Sequence, residues 1–222
     1  QWVTGLALCG NRGPIRLNGA DIQSDVYSGR GSLAVGTDGV RHVLWNTGTN
    51  VVYTRWPAAA AAPDHNVTLF DNINRFGGEV RIAIDAAGAL HAIVRGPDVD
   101  ADWDLGAIVY LTSSDGGATW SAPEYVDFHD NPAAQSPWNG NKDLSLAVDA
   151  DGVPAVTFWR WNSELWFARR NGPGGTWTQS LVTVFPGHDR PRTQRLRFDL
   201  DNQPVVAFYD WMVNQVRLAR PV

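Results

Sequence analysis

The chain has 222 residues, is 44% hydrophobic and 18% charged, and carries a formal net charge of −5. That length suits one domain, or at most two small ones, and the apolar fraction is enough to bury a core. The acidic balance argues against nucleic acid or an anionic membrane surface as the main partner, and no apolar run approaches the ~20 residues that span a bilayer.

Residues 1–8, QWVTGLAL, read as a short strand. Cys9 is the only cysteine, which excludes an intramolecular disulfide and any cysteine-based zinc site. The sequence starts at Gln1 rather than Met, and the expectation is a removed leader or an excised piece, hence an extracellular or exported protein. Beyond residue 30 the chain repeats. SLAVGTDGVRHVLW (32–45), RIAIDAAGALHAIV (81–94), SLAVDADGVPAVTF (145–158) and RLRFDLDNQPVVAF (195–208) align without gaps. Each is an apolar strand, a turn and a second apolar strand. The turns Asp38-Gly39, Ala87-Gly88, Asp151-Gly152 and Asp201-Asn202 supply residues that tolerate the positive φ of a tight hairpin. They recur 49, 64 and 50 residues apart, close to the period of ~40–50 residues expected of four-stranded propeller blades.

A third strand follows in each unit, at 51–55, 107–111, 165–169 and 215–220. A fourth is visible at 119–128 and 176–185, with 67–70 filling that place in the first unit. The fourth unit has no such strand after its third, and residues 1–8 resemble the outer strand at 176–183. The expected architecture is therefore all-β, one propeller domain over 1–222. It has four blades of four antiparallel strands: 32–70, 81–128, 145–185, and 195–222 completed by residues 1–8. Joining the chain ends in this way removes an unpaired sheet edge.

Between the third and fourth strands of the second unit the sequence reads Ser113-Ser-Asp115-Gly-Gly117-Ala-Thr119-Trp120. It fits S-x-D-x-G-x-T-W and resembles the Asp box of BNR-repeat proteins, of the sialidase-like propeller superfamily. The surrounding strand order extends that resemblance over nearly the whole chain. It implies that Ser113, Asp115, Gly117, Thr119 and Trp120 form a structural turn away from the ligand face. Asp115 would accept backbone N–H groups and Trp120 would pack between sheets. Asn171 to Trp177 is a degenerate copy without the Asp. Two departures stand out. The family's Arg-Ile-Pro motif is matched only by Pro14-Ile15-Arg16, and its enzymes resemble six-bladed rings against four repeats here.

The resemblance puts the ligand on the face formed by the links from second to third strand and from one blade to the next. These are the long segments, where binding groups tend to collect on a rigid scaffold. Trp103, Trp138, Trp161 and Trp211 fall in or beside them, with Arg95, Arg160, Asp210 and His188. Aromatic faces beside carboxylate and guanidinium groups suit sugar rings, one stacking on C–H faces and the other satisfying hydroxyls. The same tryptophans would equally serve to pack blades together. Asp98, Asp100, Asp102 and Asp104 alternate within one loop, which suits a hard cation such as Ca²⁺ or a solvated acidic loop. His42 and His91 occupy equivalent places on second strands and read as repeat architecture.

No nucleophile elbow, phosphate loop or dinucleotide fingerprint is present. The leading expectation is thus a lectin-like, non-catalytic propeller that recognises carbohydrate or another surface ligand, with no further cofactor and no membrane insertion. The alternatives are a sialidase-like glycoside hydrolase or a polysaccharide lyase, and a self-assembling structural module of a larger extracellular assembly. A glycosidase needs two carboxyl groups flanking one bond, and Asp102, Asp104, Asp210 and Glu79 are the candidates.

Overall fold

The computed structural model describes residues 31–47, 50–71, 79–95, 107–127, 142–160, 164–172, 176–185, 194–210 and 214–221. All regular structure among them is β. The first sheet is β1 (Gly31–Val35), β2 (Arg41–Asn46), β3 (Val51–Trp56) and β4 (His65–Phe70). The second is β5 (Val80–Ile84), β6 (Leu90–Arg95), β7 (Ile108–Ser113) and β8 (Glu124–Asp127). The third is β9 (Lys142–Val148), β10 (Pro154–Arg160), β11 (Glu164–Arg170) and β12 (Trp177–Val184). The fourth is β13 (Gln194–Phe198), β14 (Pro204–Asp210) and β15 (Gln215–Ala219). Every sheet runs in simple meander order, all pairs antiparallel.

The inner hairpins form as the sequence predicts. Gly39, Gly88, Gly152 and Asn202 hold φ of 78°, 88°, 78° and 59° at the same place in the four turns. Each donates its N–H back three residues, to Gly36, Asp85, Asp149 or Asp199. In three turns that aspartate also accepts from the backbone: Asp85 from Ala89, Asp149 from Asp151 and Val153, Asp199 from Asp201 and Gln203. In the first turn Gly36 stands there, and Asp38 Oδ1 accepts from Val40 instead. The aspartate thus replaces missing ladder bonds in a turn too tight to make them.

Strand alternation gives each sheet two apolar faces, and successive sheets stack on them. β1 packs on β5, β5 on β9, and β9 on β13. Ala34, Leu44, Val51 and Tyr53 meet Ile82, Ala92, Val94 and Leu111 between the first two sheets. Ile93, Ile108 and Tyr110 meet Leu146, Val156 and Phe158 between the next two. Ala147, Trp159 and Leu165 meet Leu196, Val206 and Phe208 at the last junction. Seryl side chains add a stitch: Ser32 Oγ accepts from the Ile82 N–H at 3.1 Å, and Ser145 Oγ from the Leu196 N–H at 3.0 Å.

Two faces have no such neighbour among the described residues. Leu33 is 58% exposed, whereas its repeat equivalents Ile82, Leu146 and Leu196 are 6%, 7% and 0% exposed. On the fourth sheet Val216 and Leu218 are exposed beside Arg195 and Arg197. Arg197, in the inner-strand place held by Ala34, Ala83 and Ala147 in the other sheets, donates to its neighbour's carbonyl, Leu196 O. Residues 1–8, expected to complete the fourth blade, lie outside the described residues.

The segment 113–120 is a turn that clamps two sheets. Ser113 Oγ donates to Asp115 Oδ1 at 2.8 Å and accepts from the Gly117 N–H at 2.9 Å. Asp115 also accepts from the Thr119 N–H at 2.9 Å and the Thr119 hydroxyl at 2.6 Å. The Tyr53 hydroxyl of the first sheet donates to Gly116 O at 3.0 Å, and the Trp120 ring meets the Tyr53 ring edge-on with centroids 5.1 Å apart. The outer strand starts at Glu124, later than the sequence suggests, because this turn and Pro123 keep Trp120 out of the ladder and against the neighbouring sheet.

Candidate functional site

The strand registers decide which connections share an end of the molecule. Arg95 pairs with Ile108, which pairs with Asp127. Arg160 pairs with Glu164, which pairs with Val184. Asn46 pairs with Val51, which pairs with Phe70, and Asp210 pairs with Gln215. In each of the first three sheets, therefore, the link from second to third strand and the departure from the outer strand lie together, and the same link of the fourth sheet is the one at Asp210 and Gln215. The tight inner hairpins and the 113–120 turn lie at the other end.

At the link-bearing end the best-defined constellation spans the second and third sheets. Arg160, last in β10, pairs with Asp127, last in β8, and donates from Nη2 to Gln179 Oε1 at 2.8 Å. Gln179 is fixed in turn through Nε2 to Val126 O at 2.7 Å and to Asp127 Oδ1 at 3.2 Å. The guanidinium lies over the Trp166 ring, 4.3 Å from its centroid, and the Trp166 indole N–H donates to Glu164 Oε2 at 2.8 Å. Arg160 Nε is buried with no hydrogen-bond partner. A planar cation held over an aromatic ring, between one buried carboxylate and one amide, is rigid and directional.

The other predicted positions divide in two. Asp210 is buried at the same end of the fourth sheet and pairs with Arg217 Nε at 3.0 Å. Arg95 donates its backbone N–H to Glu79 O at 2.9 Å, and the buried Glu79 carboxylate pairs with Arg81. Trp103, Trp138, Trp161, Trp211 and His188, with Asp98, Asp100, Asp102 and Asp104, lie outside the described residues. No cluster of metal-ligating side chains occurs among the described residues, and no helix there is long and apolar enough to cross a membrane. Beneath the links Trp159 stacks on Phe185 and Phe185 on Phe208, with centroids 5.5 and 5.8 Å apart. The Trp159 indole N–H is buried without a partner, as are Thr157 Oγ1 and Gln194 Oε1.

Sequence reasoning missed Asp127, Gln179, Glu164 and Trp166 as members of this constellation. All four sit on strands rather than in the long links, and Asp127 gave a signal only by ending a strand at the loop-rich end. His42 and His91 are buried structural residues, as their repeat positions predict: each ring Nδ1 lies 2.8 Å from a tyrosine hydroxyl, Tyr53 or Tyr110. Burial lowers the pKa of both imidazoles below the ordinary histidine value.

Four meander sheets stacked through their inner strands define a β-propeller. No protein-family model matches the chain, and no curated protein does. Solved structures do share the fold. A protein of unknown function from Dyadobacter fermentans is 12% identical, with a TM-score of 0.60 over 86% of this chain and 59% of that one. An α-L-arabinanase from Penicillium chrysogenum, complexed with arabinobiose, is 12% identical, with a TM-score of 0.58 over 89% of this chain and 62% of that one. The NanB sialidase of Streptococcus pneumoniae, as a point mutant, is 17% identical, with a TM-score of 0.51 over 84% of this chain and 28% of that one. The chain thus spans less than two thirds of the length of each.

Proposed function

We propose that the link-bearing end of this propeller binds carbohydrate without transforming it, in an extracellular or exported setting. The observation that carries this reading is Arg160, clamped by Asp127 and Gln179 on the face of Trp166. Sugar recognition uses that pairing of fixed polar groups with an aromatic platform. Arg95 and Asp210 stand at the same end, and Trp103, Trp138, Trp161, Trp211 and His188 belong to the links that leave it. Further support comes from the company the fold keeps, since similar structures include an arabinanase and a sialidase. A glycan array, with arabino-oligosaccharides and sialosides included, tests the proposal on the wild type and on Trp161→Ala and Trp211→Ala. Saturable binding weakened tenfold or more by either change is expected; no glycan bound by the wild type would overturn it.

A second reading, glycoside hydrolysis, is favoured by three buried carboxylates at this end, Glu79 and Asp127 at the second sheet and Asp210 at the fourth. Two carboxyl groups flanking one glycosidic bond are what such chemistry requires. Turnover of fluorogenic glycosides, abolished in Asp102→Asn or Asp210→Asn, would replace the binding reading with this one. The Asp98, Asp100, Asp102 and Asp104 run is proposed to take Ca²⁺ beside the same surface. Calorimetry on chelator-treated protein checks it, and the absence of any heat on adding Ca²⁺ would remove the metal.

A further inference from the structure

Two repeat positions that share the core of each junction are apolar twice and polar once. Between the first and second sheets they are Leu44 and Val80, and between the second and third they are Ile93 and Leu144, all fully buried. Their equivalents between the third and fourth sheets are Thr157 and Gln194, 0% and 2% exposed. A bulge accompanies the change. β9 and β10 shift register between Thr157 and Trp159, and Asp143, inside that shift, has a φ of 51°. Such a bulge interrupts the ladder. Gln194 reaches across from β13 and donates from Nε2 to Thr157 O at 2.9 Å and to Asp143 O. Both partners are carbonyls, so the amide must turn its nitrogen to them, and Oε1 faces elsewhere.

That oxygen has no hydrogen-bond partner, and neither do Thr157 Oγ1 and the Trp159 indole N–H. Thr157 and Trp159 stand two apart on β10, so alternation turns both toward the fourth sheet, where Trp159 packs with Leu196 and Phe208. Gln194 enters the same junction from the facing strand, two residues before Leu196. A buried polar group is costly unless it is bonded, so three in one junction call for an occupant. Their chemistry selects it. The indole N–H only donates, the amide oxygen only accepts, and the hydroxyl does either. The N–H disfavours a cation, the amide oxygen disfavours an anion, and no member of the trio carries a charge to hold either. The complement is a small neutral group that both donates and accepts. We propose that this junction holds one internal water molecule, which donates to Gln194 Oε1, accepts from the Trp159 indole N–H and bonds to Thr157 Oγ1. Three bonds are the usual number for a buried water. The water ties the third sheet to the fourth at the link-bearing end, as Arg160 and Asp127 tie the second to the third.

Thr157→Val, which keeps the shape of the side chain and removes its hydroxyl, decides between a wet junction and a dry one. In a dry junction the lone hydroxyl is a burden, and losing it raises the urea midpoint. In a wet one the water loses a partner, and the midpoint falls. A fall is expected. The water itself is read by NMR on the isotope-labelled full chain. The Trp159 indole proton, assigned by its loss in Trp159→Phe, should give a cross-peak at the water frequency. Its sign should match that of cross-peaks within the protein, the mark of a water that stays longer than the molecule takes to tumble. A midpoint unmoved or raised by Thr157→Val overturns the proposal, and so does a missing water cross-peak. Neither readout involves a glycan, so the outcome is independent of the ligand reading.

Discussion

His91 Nδ1 lies 2.8 Å from the hydroxyl of Tyr110, buried between the second and third strands of one sheet. His42 and Tyr53 repeat the contact in the sheet before it. The third sheet has Ala155 and Phe167 at these two places, and the fourth has Val205 and Leu218. The hydroxyl and the imidazole are lost together, as the cost of an unsatisfied buried polar group requires. Burial holds both histidines neutral, although Asp38 near His42 and Asp85 beside His91 oppose it, and Arg55 and Arg170 reinforce it. The folded pKa values are thus depressed, and the unfolded chain takes up protons that the folded chain refuses. Stability is full above about pH 6.5 and falls as pH drops below it, by up to about 1.4 kcal/mol per pH unit for each histidine. Urea midpoints at pH 7.5, 6.5 and 5.5 should fall in that order, and the slope should flatten in the double variant His42→Ala/His91→Ala. A midpoint flat across this range would refute the assignment.

Gly117 and Gly88 separate two reasons for a glycine. Their φ angles are nearly the same, 87° and 88°. A Cβ at Gly88 would meet nothing within 4 Å, whereas one at Gly117 would lie 2.1 Å from the Tyr53 hydroxyl and 2.2 Å from its ring. Gly88→Ala should therefore cost only the left-handed backbone conformation, about 1–2 kcal/mol. Gly117→Ala should cost that plus the displacement of Tyr53 from between His42 and Gly116, about 3–5 kcal/mol in all. Chemical denaturation of the two variants measures the difference directly, and equal losses would show that the Tyr53 contact carries no weight.

The hairpins were legible because period-two alternation and a turn residue at one fixed place are local signals, repeated four times from Gly39 to Asn202. The Ser113–Trp120 turn was legible because its hydrogen bonds close within eight residues. The Arg160 constellation was not: Asp127, 33 positions away, and Gln179, 19 positions away, reach it only through sheet stacking. Alternation says which face a residue occupies, and it is silent on the neighbour that covers that face. Phe167 shows the middle case. Its likeness to Tyr53 and Tyr110 is visible in sequence, yet its incomplete cover is visible only once the other two are seen to be capped by Trp120 and Trp177.

Asp115 should report on the turn that joins the first two sheets. The Thr119 hydroxyl, the Thr119 N–H and the Ser113 hydroxyl all donate to it, holding its carboxyl well below the usual aspartate range. A depressed folded pKa contributes stability above about pH 4 that is lost as pH falls further. Asp115→Ala should then lower the melting temperature at pH 7 and differ less from wild type at pH 3. An unchanged gap between the two proteins at both pH values would argue against a role for the charge.

Arg160 and Asp127 lock the second sheet to the third at the end proposed to bind ligand, so the pair should couple energetically. Asp127 is almost fully buried, and Gln179 alone cannot replace a guanidinium. Arg160→Ala takes the guanidinium away from that buried carboxylate and should destabilise by about 3–5 kcal/mol, whereas Asp127→Asn, which keeps an acceptor toward Arg160 and Gln179, should cost less. In the double variant the buried charge is gone as well, and the losses should fall short of additivity by about 1–3 kcal/mol. Additive losses in a urea double-mutant cycle would mean that the contact is incidental. The same variants separate scaffold from recognition. If Arg160 also presents its free edge to a sugar, Asp127→Asn should keep most of the glycan affinity while Arg160→Lys, which retains charge but neither the planar fork nor its stacking on Trp166, should lose it.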